Sequence, residues 1–274
     1  MDIEGKLDTS TPDLGRPDDP PPRKSFSVRV LSHASAEVSP ENTDLLLLLC
    51  SLASGLTDST LYNAYNTFVS MQTGNTIFVA LGASNQNTKP YGWARSLCSI
   101  GFFILGSLFF SRLYNFLGPR CRRTLVLSFL IQTLFVMVAA AIVEGGAING
   151  NVPNVSDPGV VRWNELAPVA MLSFQSAGQI VTSRALALGE IPTVVITSLL
   201  CDLMSDTAIL AGLTQNIKRN RRIAAFTLTL VGAIAGGWIS KATKGVEAAL
   251  WVVMGIKFLL MSAWIVWPKK TVQF

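Results

Sequence analysis

The sequence predicts an all-α integral membrane protein with six to eight membrane segments. Three observations carry that expectation. Apolar stretches recur from residue 45 to residue 267, close to the ~20 residues that a bilayer crossing needs. Charged residues make up 14% of the chain, against about 25% in soluble domains, and mean hydropathy is +0.42. Polar groups inside those stretches, above all Thr73-Gly74-Asn75, stand where hydrocarbon tolerates them only if protein or a water-filled cavity satisfies them.

Residues 1–41 are rich in proline and charge and have no apolar periodicity. They are expected to form a disordered cytoplasmic tail, and they lack the apolar core of a signal peptide. Pro40-Glu41-Asn42-Thr43-Asp44 then offers polar caps and acidic residues, which suit the positive end of a first helix. The membrane domain spans 42–268, and 269–274 is read as a short cytoplasmic C-terminus. Its apolar segments lie at 45–62, 67–84, 94–112, 124–143, 166–188, 191–213, 223–240 and 246–267. Tyr91, Trp93, Tyr114, Trp163, Trp238, Trp264 and Trp267 fall mostly near segment ends, as an interfacial aromatic belt does.

Charge separates segments from crossings. Arg112, Arg120, Arg122 and Arg123 form one basic cluster, Lys218, Arg219, Arg221 and Arg222 a second, and Lys269-Lys270 a third. The positive-inside rule places all three in the cytoplasm. The loop 144–162 has one basic residue and the sequon Asn154-Val155-Ser156, a candidate glycosylation site on the opposite side. An odd number of crossings must join that loop to the Lys218 cluster, yet two apolar segments lie between them. One is therefore expected to be broken or re-entrant, and the same parity holds for 45–84. Eight plain crossings remain the competing arrangement.

The two anomalous pairs resemble each other. Gly55 and Thr73 in the first have Gly178 and Thr197 as counterparts in the second, and Gln132 matches Lys257. The expected half-repeats are about 44–143 and 165–267, and an odd number of crossings per unit makes the second copy inverted. Gly55-Leu56-Thr57-Asp58 followed by Phe68-Val69-Ser70-Met71-Gln72-Thr73-Gly74-Asn75-Thr76 resembles the YoaK-like family of bacteria and fungi, domain of unknown function 1275. Gln72 is inserted relative to that family's Met-Thr-Gly-Asn pattern, and Thr197-Ser198 stands where the family often has Thr-Gly. The resemblance covers roughly 45–267. It implies a multi-pass membrane protein and supplies no activity or ligand.

The candidate site residues follow from the cost of burial. Thr73, Gly74 and Asn75 from one half, with Gln179, Thr197 and Ser198 from the other, are candidates for binding a polar solute. Ser51, Ser54, Gly55, Asp58 and Tyr62 share one helix face. A carboxylate there either couples an ion or sits in a wet turn near Asn63. Asp202 and Asp206, four apart, either relay a proton or pair with Arg184 or Lys257, the other charges inside apolar segments. Gln175, Gln179 and Thr182 bind a solute or join helices. Gly232 and Gly236 suit close helix packing and are candidates for a homo-oligomeric contact.

The lone histidine, His33, lies in the tail, and the four cysteines are dispersed. No cofactor, metal site, nucleophile–base set or nucleic-acid partner is expected. The expected function is transport of a small polar solute, with proton coupling through Asp58, Asp202 and Asp206. The alternatives are a scaffold or receptor, and an intramembrane enzyme. The membrane is the plasma membrane or an internal one.

Overall fold

The computed structural model describes residues 33–86, 91–152 and 162–270. Its helices are α1 Thr43–Tyr65, α2 Gln72–Ala83, α3 Gly92–Leu117, α4 Arg122–Glu144, α5 Leu166–Ala185, α6 Ile196–Met204, α7 Ile217–Thr243 and α8 Glu247–Val266. Five of them, α1, α3, α4, α7 and α8, are long and apolar enough to cross a membrane, as a multi-pass membrane protein requires. α5 has 20 residues, but Gln175, Gln179 and Arg184 make it more polar. Sequence Asn154 lies outside the described residues.

Helix lengths run 23, 12, 26 and 23 residues through α4, then 20, 9, 27 and 20. Packing follows the same division. α1 lies along α7, α5 along α3, and α4 along α8, while α2 rests on α3 and α6 on α7. Glycine permits the closest of these approaches. A Cβ on Gly232 would collide with the Leu52 carbonyl oxygen, and one on Gly55 with that of Thr229. Gly236 faces Leu56 and Thr60. The expected contact between copies at Gly232 and Gly236 is thus corrected: α1 of the same chain covers both.

Helix ends gather at two opposite faces. At the first, Arg221 at the start of α7 pairs with Asp44 of α1 at 2.9 Å and with Glu190, just past α5, at 2.8 Å. Arg122 at the start of α4 donates to the carbonyl oxygens of His33 and of Trp267, beyond α8. At the second face, Arg95 of α3 pairs with Glu165 ahead of α5 at 2.5 Å. Asn151 bridges Gly245 there, between α7 and α8, and Trp251 of α8 donates to Glu144 at the end of α4 at 2.7 Å.

Two expected segments are shorter than their apolar stretches. The stretch 67–84 forms helix only from Gln72, because Asn66 closes α1 in the left-handed region (φ 53) and non-helical chain with bends at Val69 and Ser70 follows. The stretch 191–213 is helical only over Ile196–Met204. Pro192 lacks an amide hydrogen and Thr193 has φ 60, so helix cannot begin before them. Turns then run from Ser205 to Asn216, whose side chain caps α7 by accepting from the Arg219 N–H at 2.9 Å.

The expected boundary of the tail also moves. Glu37 and Val38 bridge Cys121 and Lys269, and Val38 is buried. Residues 33–41 therefore belong to the folded domain, because they close the seam between the α3–α4 turn and the end of α8.

Candidate functional site

The backbone between α1 and α2 is not helical, so its polar groups need partners other than a helix ladder. Asp58, 1% exposed on α1, supplies several. Its Oδ1 accepts from the Val69 N–H at 2.8 Å and the Ser70 N–H at 3.0 Å, and the Ser70 hydroxyl donates to Oδ2. Asn75, fully buried, accepts from the Thr67 hydroxyl at 2.9 Å and the Phe68 N–H at 3.0 Å. Its amide nitrogen reaches the Phe68 carbonyl at 2.7 Å and Ser99 Oγ at 3.0 Å. Ser176 of α5 donates to the Val69 carbonyl at 2.9 Å. Asp58 and Asn75 thus hold the break in shape. Neither faces a free space for a solute.

The second break is tied differently. Ser183 donates toward the carbonyl oxygens of Leu188 at 2.8 Å and Ile191 at 2.7 Å. The chain then turns at Thr193 into α6.

Both breaks open on one cavity of about 340 Å³. Ser70 to Gly74 line it from one side, Val194 to Thr197 from the other, with Phe103 and Ile180 from the middle of α3 and α5. The expected residues Thr73, Gly74 and Thr197 are therefore brought together. Ser198 is exposed and does not line it. Met71 and Val195, which precede α2 and α6, give no side-chain cap, and residues of the first turn of both helices line this cavity.

Deeper in, a polar cluster surrounds Lys257 of α8, 1% exposed. Its Nζ donates to Gln132 Oε1 of α4 at 2.8 Å and to Gln179 Oε1 of α5 at 2.6 Å. Gln179 Nε2 in turn donates to Ser54 Oγ of α1. The pairs Gln132–Lys257 and Ser54–Gln179 are each 125 positions apart. Beside them lies a slit with no room for a water-sized sphere, lined by Ser54, Thr57, Ser70, Gln175, Ser176, Gln179 and Lys257 among others. Ser70 borders both slit and cavity.

The acidic pair on α6 is a correction. Asp202 is exposed, and Asp206 lies beyond the end of the helix at Ser205, so the two do not share a helix face. Asp206 pairs with Arg222 at 3.4 Å and accepts from Asn216 at 3.0 Å and the Ala208 N–H at 2.9 Å. The Asn216 and Ala208 hydrogen bonds hold its carboxyl below the usual carboxylate range. Arg184 is exposed at the end of α5, away from Asp202 and Asp206. Lys257 meets amides, not the carboxylates expected as its partners.

Sequence reasoning missed Ser99 and Ser173, which are bonded to each other at 2.8 Å and join α3 to α5 beside Asn75. The available signal was small polar residues three apart, Ser96–Ser99 and Ser173–Ser176, inside apolar helices. It also missed the ion pairs of Arg95 and Arg221, each at the start of the third helix of a half.

The family model described as Protein of unknown function (DUF1275) matches residues 46–263, most of the chain. The chain belongs to that family. No curated protein and no solved structure matches it.

Proposed function

We propose that this DUF1275 protein transports a small polar solute across a membrane, as an inverted repeat of α1–α4 and α5–α8. In this reading α1, α3, α4, α5, α7 and α8 cross the membrane, while α2 and α6 are re-entrant. α1 runs from the first face to the second, and its counterpart α5 runs back. The observation that carries the proposal is the meeting of the two breaks: the first turns of α2 and α6, one from each unit, border a single cavity at mid-depth. Counterpart residues touch each other only near the axis relating two units. The contact between Gln132 and Lys257, matched residues 125 positions apart, supports such an axis through the polar cluster.

The same relation supports a gating scheme. Arg95–Glu165 ties α3 to the start of α5 at one face, and Arg221–Asp44 ties α7 to the start of α1 at the other. Each ion pair joins the third helix of one unit to the first helix of the other. Opening them alternately exposes the cavity and slit to one side at a time, and with both closed the slit is shut. Thr73, Gly74 and Thr197 contact the solute at the cavity, and Gln179 and Lys257 contact it in the slit. The protein acts as a carrier and not as an enzyme.

Uptake into proteoliposomes tests the proposal. Saturable uptake of one member of a panel of neutral, anionic and cationic small solutes, above that of empty vesicles, is expected. Absence of uptake across the panel would contradict transport and favour a scaffold.

A further inference from the structure

We infer that the solute is a small oxyanion, organic carboxylate or inorganic, bound by the Lys257 ammonium; this rests on the transport reading above. Two of the three ammonium N–H groups go to neutral amide oxygens, the Phe129 ring centroid lies 5.6 Å from Nζ, and the third N–H has no oxygen acceptor. Among the described residues no carboxylate stands within ion-pair distance of Lys257. A buried charge without a counter-charge is costly, and an anion arriving in the slit removes that cost.

A second observation points into the same slit. Gln175 is 2% exposed and lines it, yet its Oε1 has no partner. With the amide turned over, its NH2 in place of that oxygen donates to an oxyanion in the slit. Position in the slit, beside the ammonium, makes that ligand polar and small.

The sign of the ligand follows from what borders the route. Neither the slit nor the cavity is lined by an aspartate or glutamate. The cavity instead meets the uncapped first turns of α2 and α6, the positive ends of two helices. Asp58 is bonded to Val69 and Ser70, behind the break, and is absent from both linings. The groups that border the route are two positive helix ends and then an ammonium, which favour an anion, while the nearby Asp58 carboxylate is taken up by Val69 and Ser70.

The test uses the full-length chain in proteoliposomes, with acetate, lactate and inorganic phosphate as anionic probes and glycerol as the neutral one. Uptake of at least one anion is expected. Lys257→Met should lower it about tenfold, as loss of one charge-assisted hydrogen bond implies, while Lys257→Arg retains most of it. Gln175→Leu should raise the half-saturating concentration without lowering the thermal midpoint, because an unpartnered amide contributes nothing to the fold. In detergent, the transported anion should raise the thermal midpoint of wild type and not of Lys257→Met. Glycerol uptake without anion uptake overturns the inference and leaves transport standing. So does anion uptake unchanged in a normally eluting Lys257→Met. Anion-dependent stabilisation without any uptake does the reverse: it supports the anion site and contradicts transport. Neither uptake nor stabilisation by any of the three anions overturns the inference.

Discussion

Lys257 donates to Gln132 Oε1 at 2.8 Å, and the two residues stand 125 positions apart. Offset comparison had matched them as polar residues in otherwise apolar helices. Their contact ties the last helix of one half to the last helix of the other, at the point where the first helix of each half also contributes, through Ser54 and Gln179.

Close packing of α1 on α7 should tolerate no side chain at Gly232. Gly232→Ala places a methyl against the Leu52 carbonyl and should cost about 1–3 kcal/mol, the usual range for overpacking. Gly237→Ala, whose Cβ meets nothing within 4 Å, serves as the control. It should be neutral or stabilising by up to about 1 kcal/mol through helix propensity. Thermal unfolding in detergent compares the two.

Asp58→Asn should loosen the first break. The amide keeps an oxygen for the N–H groups of Val69 and Ser70 but removes the charge and puts an NH2 donor where Oδ2 accepts from the Ser70 hydroxyl. Loss of hydrogen bonds to a charged acceptor should cost about 1.5–3 kcal/mol. Hydrogen exchange should rise at Val69 and Ser70 first, ahead of the helices around them.

Asp206 should contribute a pH-dependent share of stability at the first face. Its folded pKa is held down by Asn216 and Ala208, so the contribution is present above the ordinary carboxylate range and is lost as pH falls through the folded value. Asp206→Asn should remove that part of the acid-side decline. Thermal midpoints from neutral to acidic pH, wild type against variant, measure it.

Much of this was legible in the sequence, and the limits have physical causes. The apolar stretches at 94–112, 124–143 and 223–240 each fall within one long helix, because burial in lipid needs only length and hydropathy. The parity of basic clusters led to the expectation that one of 166–188 and 191–213 is broken or re-entrant, and 191–213 is helical only over Ile196–Met204. Thr73, Gly74 and Thr197 were placed at a shared site by the cost of polar groups in hydrocarbon. Partner choice was not legible. Lys257 meets Gln132 and Gln179 because α4, α5 and α8 pack together, and a one-dimensional charge count favours the carboxylates instead. Gly232 and Gly236 likewise read as generic small-residue packing, and only the fold assigns α1 as their partner.

The re-entrant reading of α2 and α6 predicts topology. Cysteines placed at Asn151 and at Asn220, in a background without the native cysteines, should react with a membrane-impermeant maleimide from opposite sides of the vesicle. Labelling of both from one side would contradict a single crossing by α5.

The measurement that tests alternating access most directly is uptake by two double-cysteine proteins, Arg95→Cys with Glu165→Cys and Arg221→Cys with Asp44→Cys. The account predicts that bridging either pair with a disulfide-containing bifunctional thiol reagent stops solute uptake and that reduction restores it, since each bridge locks one face shut. Uptake at the wild-type rate with both bridged proteins would contradict it.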